Sequence, residues 1–77
     1  MTVDKFLRNL EEALGLKPNT IPEDANLDDI EWDSLSVVVF IAEADRCFNR
    51  SFTPPEVGRC KSVKELLNLL EDKFTTQ

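Results

Sequence analysis

Chemistry in this chain is concentrated in one stretch, Glu31-Trp32-Asp33-Ser34-Leu35-Ser36. An apolar, helix-prone run opens at Ser34 and continues to Phe48, behind a long acidic loop with two prolines. Asp33 is a good N-cap, because its carboxylate can accept bonds from the free N–H groups of the first turn. Ser34 then becomes the first helical residue, with its hydroxyl turned outward at the positive end of the helix dipole. Such a position favours an anion, above all a phosphate joined to that oxygen. The chain contains no histidine, so the usual general base is missing, and with it any Ser-His-Asp machinery and most zinc sites.

Other candidate sites are weaker. Asp24, Asn26 and Asp28 alternate like the first ligands of an EF-hand. The match then fails, with Asp29 at the glycine position and Leu35 where a bidentate Glu is needed. Solvated loop acids account for the pattern, and no metal site is expected. Cys47 and Cys60 make no C-x-x-C pair and are too few for a secreted disulfide framework. Both read as reduced thiols, with Cys47 near the helix core.

The elements that must position Ser34 follow from periodicity. Val3, Phe6, Leu7, Leu10, Ala13 and Leu14 trace one face of a helix over Thr2 to Leu14. Asp4, Lys5, Arg8, Glu11 and Glu12 lie largely off that face. Thr2 can cap its start, and Gly15 suits the left-handed position after its end. Residues 15 to 32 read as a long loop, since Pro18 and Pro22 break any helix. Leu16, Ile21, Leu27 and Ile30 are its single anchors into a core. A loop this long in a compact domain is often functional.

The second helix is expected from Ser34 to Phe48, with Leu35, Val38, Val39, Ala42 and Phe48 toward the core. Val37, Phe40, Ile41 and Ala44 spread apolar character over its other faces. By pattern alone residues 37 to 41 could be a buried strand, but no second strong strand is present to pair with it. An all-round apolar helix is central, or keeps a face for a partner or ligand. Ser36, Val37 and Val39 lie within about a turn and a half of Ser34, close enough to touch a docked enzyme, so at least one of Val37→Glu and Val39→Glu is expected to stay folded. Asn49 to Phe52 is a connection. Thr53-Pro54-Pro55-Glu56 then caps a helix of about one turn, which Gly58 ends. Ser62-Val63-Lys64-Glu65 is another capping box, opening a helix with an apolar stripe of Val63, Leu66, Leu67, Leu69, Leu70 and Phe74. Thr75-Thr76-Gln77 should fray. The expected fold class is all-α: a small four-helix bundle of three main helices and one short one, with the long loop between the first two.

At 77 residues with 42% apolar and 31% charged side chains, this is a soluble globular composition and one domain, 1–77. No apolar run spans a membrane and no signal pattern precedes the first helix. A free-standing, monomeric cytoplasmic protein is expected. The net charge of −6 argues against nucleic acid and for partners with basic docking surfaces.

Asp-Ser-Leu opening a helix, in a small acidic chain with this helix order, resembles the prosthetic-group site of acyl carrier proteins. The resemblance runs over nearly the whole chain. Asn26-Leu27-Asp28-Asp29-Ile30 is similar to the segment before that family's serine. Asp45 and Phe48 match positions late in its second helix, and Ser62-Val63-Lys64-Glu65-Leu66 its closing helix. A capped helix start alone would explain the tripeptide; agreement of length, acidity, helix order and loop anchors favours the carrier. The resemblance implies 4'-phosphopantetheine on Ser34, flanked by Asp33 and Leu35, with cargo held as a thioester and no catalysis by the chain itself. It implies as partners a phosphopantetheinyl transferase, an acyl- or aminoacyl-loading ligase and a downstream acyltransferase or synthase. Glu31 stands where many members have glycine, and Ser36, Val39 and Arg46 where carriers of fatty acid synthesis are commonly acidic. These departures point to a specialised pathway. The rival reading is an unmodified acidic helical interaction module.

Overall fold

The computed structural model describes residues 1–70, and the expected phenylalanine at 74 and the expected fraying of 75–77 lie outside them. The order is α1 (Val3–Ala13), a 3-10 turn (Leu27–Asp29), α2 (Ser34–Phe48), α3 (Pro54–Gly58) and α4 (Val63–Asn68). Among the described residues there is no β-strand, and the chain is a small helical bundle of the expected kind.

Helix α1 begins where Thr2 accepts a bond from Lys5 N at 3.2 Å and ends before Gly15, whose φ of 74° is left-handed. A side chain is strained there, which explains glycine. Phe6, Leu7 and Leu10 are buried, while Ala13, expected on the same face, is exposed.

Glu11 departs most from the expectation. It is 1% exposed although its spacing set it apart from the apolar face. Its carboxylate accepts the backbone N–H of Asn19 at 3.0 Å and of Ile21 at 2.7 Å. Arg8 Nε lies 2.9 Å from the same carboxylate, off the hydrogen-bonding angle. The Arg8 guanidinium also donates to the Ile21 carbonyl at 3.0 Å and to the Asn19 side chain. Asn19 has a φ of 69°, and Ile21 is 1% exposed. A buried acid is tolerated because loop N–H groups need an acceptor there as much as the acid needs donors. Glu11→Ala is expected to destabilise by about 2 kcal/mol, lowering Tm by roughly 8–16 °C. Arg8 is 26% exposed, so water screens the ion pair and the stranded N–H groups account for most of that loss. A thermal melt of Glu11→Ala matching the parent protein would show that the loop finds other acceptors.

The loop is more ordered than its composition implies. Besides the 3-10 turn, it pairs with the approach to α4: Leu27 N–H donates to Lys61 O at 2.9 Å and Val63 N–H to Ala25 O at 3.0 Å, around an antiparallel bridge of Asn26 and Ser62. The expected anchors are in place, with Ile21 and Leu27 buried and Leu16 and Ile30 packed half-buried against the core, where Trp32 joins them.

Helices α3 and α4 start where expected, with different bonding. The Thr53 hydroxyl donates to the Glu56 carboxylate at 3.0 Å instead of capping a backbone N–H. Ser62 does cap, accepting from Glu65 N at 3.2 Å, but the Glu65 carboxylate reaches past Ser62 to the Lys61 N–H. Val63, Leu66, Leu67 and Leu70 are buried as the stripe required.

Candidate functional site

Asp33, in extended conformation, is the N-cap of α2, and its carboxylate accepts from Ser36 N at 3.1 Å. The Ser36 hydroxyl accepts from Asp33 N at 3.3 Å and donates back to the Asp33 carboxylate at 3.2 Å. This closes a reciprocal capping box in which serine replaces the usual Glu or Gln. The sequence reading missed Ser36, because only a Glu or Gln at that spacing is a familiar signal.

Ser34 is the first residue of α2 and is exposed. The N–H groups of Ser34 and Leu35 precede the first intrahelical bond, so they have no acceptor within the helix. The Asp33 carboxylate, turned back into the cap, is occupied with Ser36. A phosphate ester on the Ser34 oxygen would thus meet donors left without an intrahelical acceptor and the positive end of a 15-residue helix. That is the fit a phosphate-linked arm requires.

The faces of α2 are rotated from expectation. Leu35 is 64% and Val38 57% exposed, and Ala42 is exposed too, although all three were placed toward the core. The buried face is instead Ser36, Phe40, Glu43 and Ala44, with Phe48 packed against the core. Val39, placed toward the core, and Val37, placed on another face, are both half-buried against the core. Two polar residues can face inward because each is satisfied locally. Ser36 is bonded within the cap, and Glu43 is held by Arg46 at 2.6 Å. That bond raises the Arg46 pKa above its ordinary value, with the nearby Cys47 and the charge of Glu43 adding to it.

Leu35, Val38 and Ala42 are spaced i, i+3 and i+7, so they form one outward stripe that begins beside Ser34. The loop residues before it, Asp28, Asp29, Glu31 and Asp33, are exposed acids. Asn49, left-handed with a φ of 56°, closes the far end of the helix. Cys47 and Cys60 are half-buried free thiols. Burial, and then the Glu65 carboxylate, push the Cys60 thiol above its ordinary pKa, which makes it a poor nucleophile at neutral pH. No helix among the described residues is long and apolar enough to cross a membrane.

Compared with known proteins, residues 4–70 match the family model described as phosphopantetheine attachment site. No curated protein matches the chain.

Proposed function

Because the chain belongs to the phosphopantetheine attachment family, carriers that are not themselves enzymes, we propose that Ser34 bears its 4'-phosphopantetheine arm. The observation that carries this reading is an exposed serine at the first position of α2, where the N–H groups of Ser34 and Leu35 precede the first intrahelical bond. When bound, the arm supplies the thiol on which an acyl or aminoacyl group is held as a thioester. The chain's own residues present the hydroxyl, fix the helix start through Asp33 and Ser36, and offer donors to the phosphodiester. Attachment joins the Ser34 oxygen to the inner phosphorus of coenzyme A's pantetheine side. The pyrophosphate bond breaks, the adenosine bisphosphate leaves, and the serine proton passes to a base of the transferase.

The carrier delivers acyl or aminoacyl groups, in the cytoplasm, between a loading ligase and an acyltransferase or synthase of a specialised pathway. Free thiols at Cys47 and Cys60 fit a reducing compartment. The outward stripe of Leu35, Val38 and Ala42 supports a partner surface with an apolar centre, and the acids before Ser34 support a basic rim on it. Incubation with coenzyme A and a permissive phosphopantetheinyl transferase should add one arm to the intact mass. A protein left unmodified by several such transferases would instead be an unmodified interaction module.

Val38→Glu separates docking from folding. Because Val38 is 57% exposed, the variant should stay within about 0.5 kcal/mol of the parent in stability, as surface substitutions do. Transfer of cargo to the dedicated partner should fall by roughly tenfold or more, as for a charge placed in an apolar contact of about 1.4 kcal/mol or greater. Unchanged transfer kinetics would exclude this stripe from the partner surface.

A further inference from the structure

Among the described residues, aromatic rings pack together on the inner side of α2. Phe40 is fully buried and lies about 9 Å along the helix axis from Ser34. It meets Phe6 of α1 edge-on, with centroids 5.8 Å apart and planes at 89°. Phe52, in the connection before α3, has its ring centroid 6.2 Å from that of Phe40. Phe6 has no exposure and continues the series to Phe48 at 5.5 Å. Four rings therefore run in contact from Phe52 across the inner face of α2 to its last turn, at the spacings aromatic pairs prefer. Ala44 of α2 and Val57 of α3, also without exposure, belong to the same core.

Rings of this kind yield poorly. An aliphatic side chain can fold aside through several rotatable bonds, whereas a packed phenyl ring has to leave its well as a block. The Arg50 guanidinium lies 5.6 Å from the centre of the Phe52 ring and donates to the Leu69 carbonyl at 3.2 Å. The outer end of the ring series is thereby tied to the end of α4.

We infer, on the footing that Ser34 carries the arm, that this carrier holds its cargo outside its core. The cargo class that fits is a short or polar acyl or aminoacyl group, and any choice by chain length rests with the partner enzymes.

The test loads Ser34 with acetyl- or octanoyl-phosphopantetheine from the matching coenzyme A derivatives. The two forms should melt within about 2 °C of each other, since burial of little more than one methylene would raise Tm by roughly 4–8 °C. The backbone amide resonances of Phe6, Phe40 and Phe52 should coincide in the two forms. Phe52→Ala removes the half-buried outer ring, and there the octanoyl form should gain stability over the acetyl form. Phe52→Leu serves the same purpose if the alanine variant does not melt cooperatively. A stabilised octanoyl form of the parent protein, with shifted Phe40 and Phe52 amides, overturns the inference. So does an opened variant without any gain, because the rings would then not be the barrier. A protein that accepts neither group refutes the Ser34 assignment and is told apart by its unchanged mass.

Discussion

Ser34→Ala is expected to abolish phosphopantetheinylation, while Ser36→Ala is expected to leave it intact. The two serines are two residues apart in the same capped turn, and their surroundings assign them opposite tasks. Ser34 is exposed at the first helical position, where no other side chain uses its hydroxyl among the described hydrogen bonds. Ser36 is 3% exposed, and its hydroxyl is engaged with the backbone and carboxylate of Asp33. Removing the Ser34 oxygen removes the atom that would be esterified, so loss should be complete, and helix stability should hardly change. Removing the Ser36 oxygen should cost about 1 kcal/mol of capping energy and leave the acceptor in place. Intact mass after reaction with coenzyme A and a transferase, paired with a thermal melt, distinguishes the cases. Modification that persists in Ser34→Ala and vanishes in Ser36→Ala would move the attachment point two residues along the helix.

Phe40→Ala should be the most destabilising single change in α2. The ring is wholly buried and packs beside the rings of Phe6 and Phe52, so truncation leaves a cavity that two stiff neighbours fill badly. Such losses run at about 3–5 kcal/mol. The total stability of a chain this size is roughly 4–12 kcal/mol. The variant should therefore lose at least about 12 °C in Tm, or fail to melt cooperatively. Phe40→Leu keeps most of the volume and should cost far less, under about 2 kcal/mol. Val38→Ala, on the outward stripe of the same helix, is the internal control and should be near neutral. A Phe40→Ala melt close to that of Val38→Ala would mean that α2 faces the core by another side.

Much of the fold was legible in the chain because the informative signals are local. A capping residue acts on the turn that follows it, so Thr2, Asp33 and Ser62 placed three helix starts without any knowledge of the neighbours. Pro18, Pro22 and Gly15 act through their own backbone angles, and they bounded the loop for the same reason. The single apolar stripes of α1 and α4 determined which residues those helices bury, Glu11 and Ala13 apart, because each has only one face to choose. Ser34 at an exposed, capped helix start belongs to this local class, and so does the family to which the chain is similar.

The tertiary structure decided what local signals leave degenerate. With apolar residues on nearly every side, α2 has no preferred face of its own. Its orientation is set by the rings of Phe6 and Phe52 that Phe40 must meet, and that turns Leu35 and Val38 to solvent. Glu11 is the converse case: spacing calls an acid solvent-facing, but this one is buried because the loop folds back and brings two N–H groups to it. Ala25, Leu27, Lys61 and Val63 are paired across more than 30 positions of chain, which no periodicity encodes. A residue's type and its immediate neighbours determined where Ser34 stands; only packing at a distance determined what surrounds it.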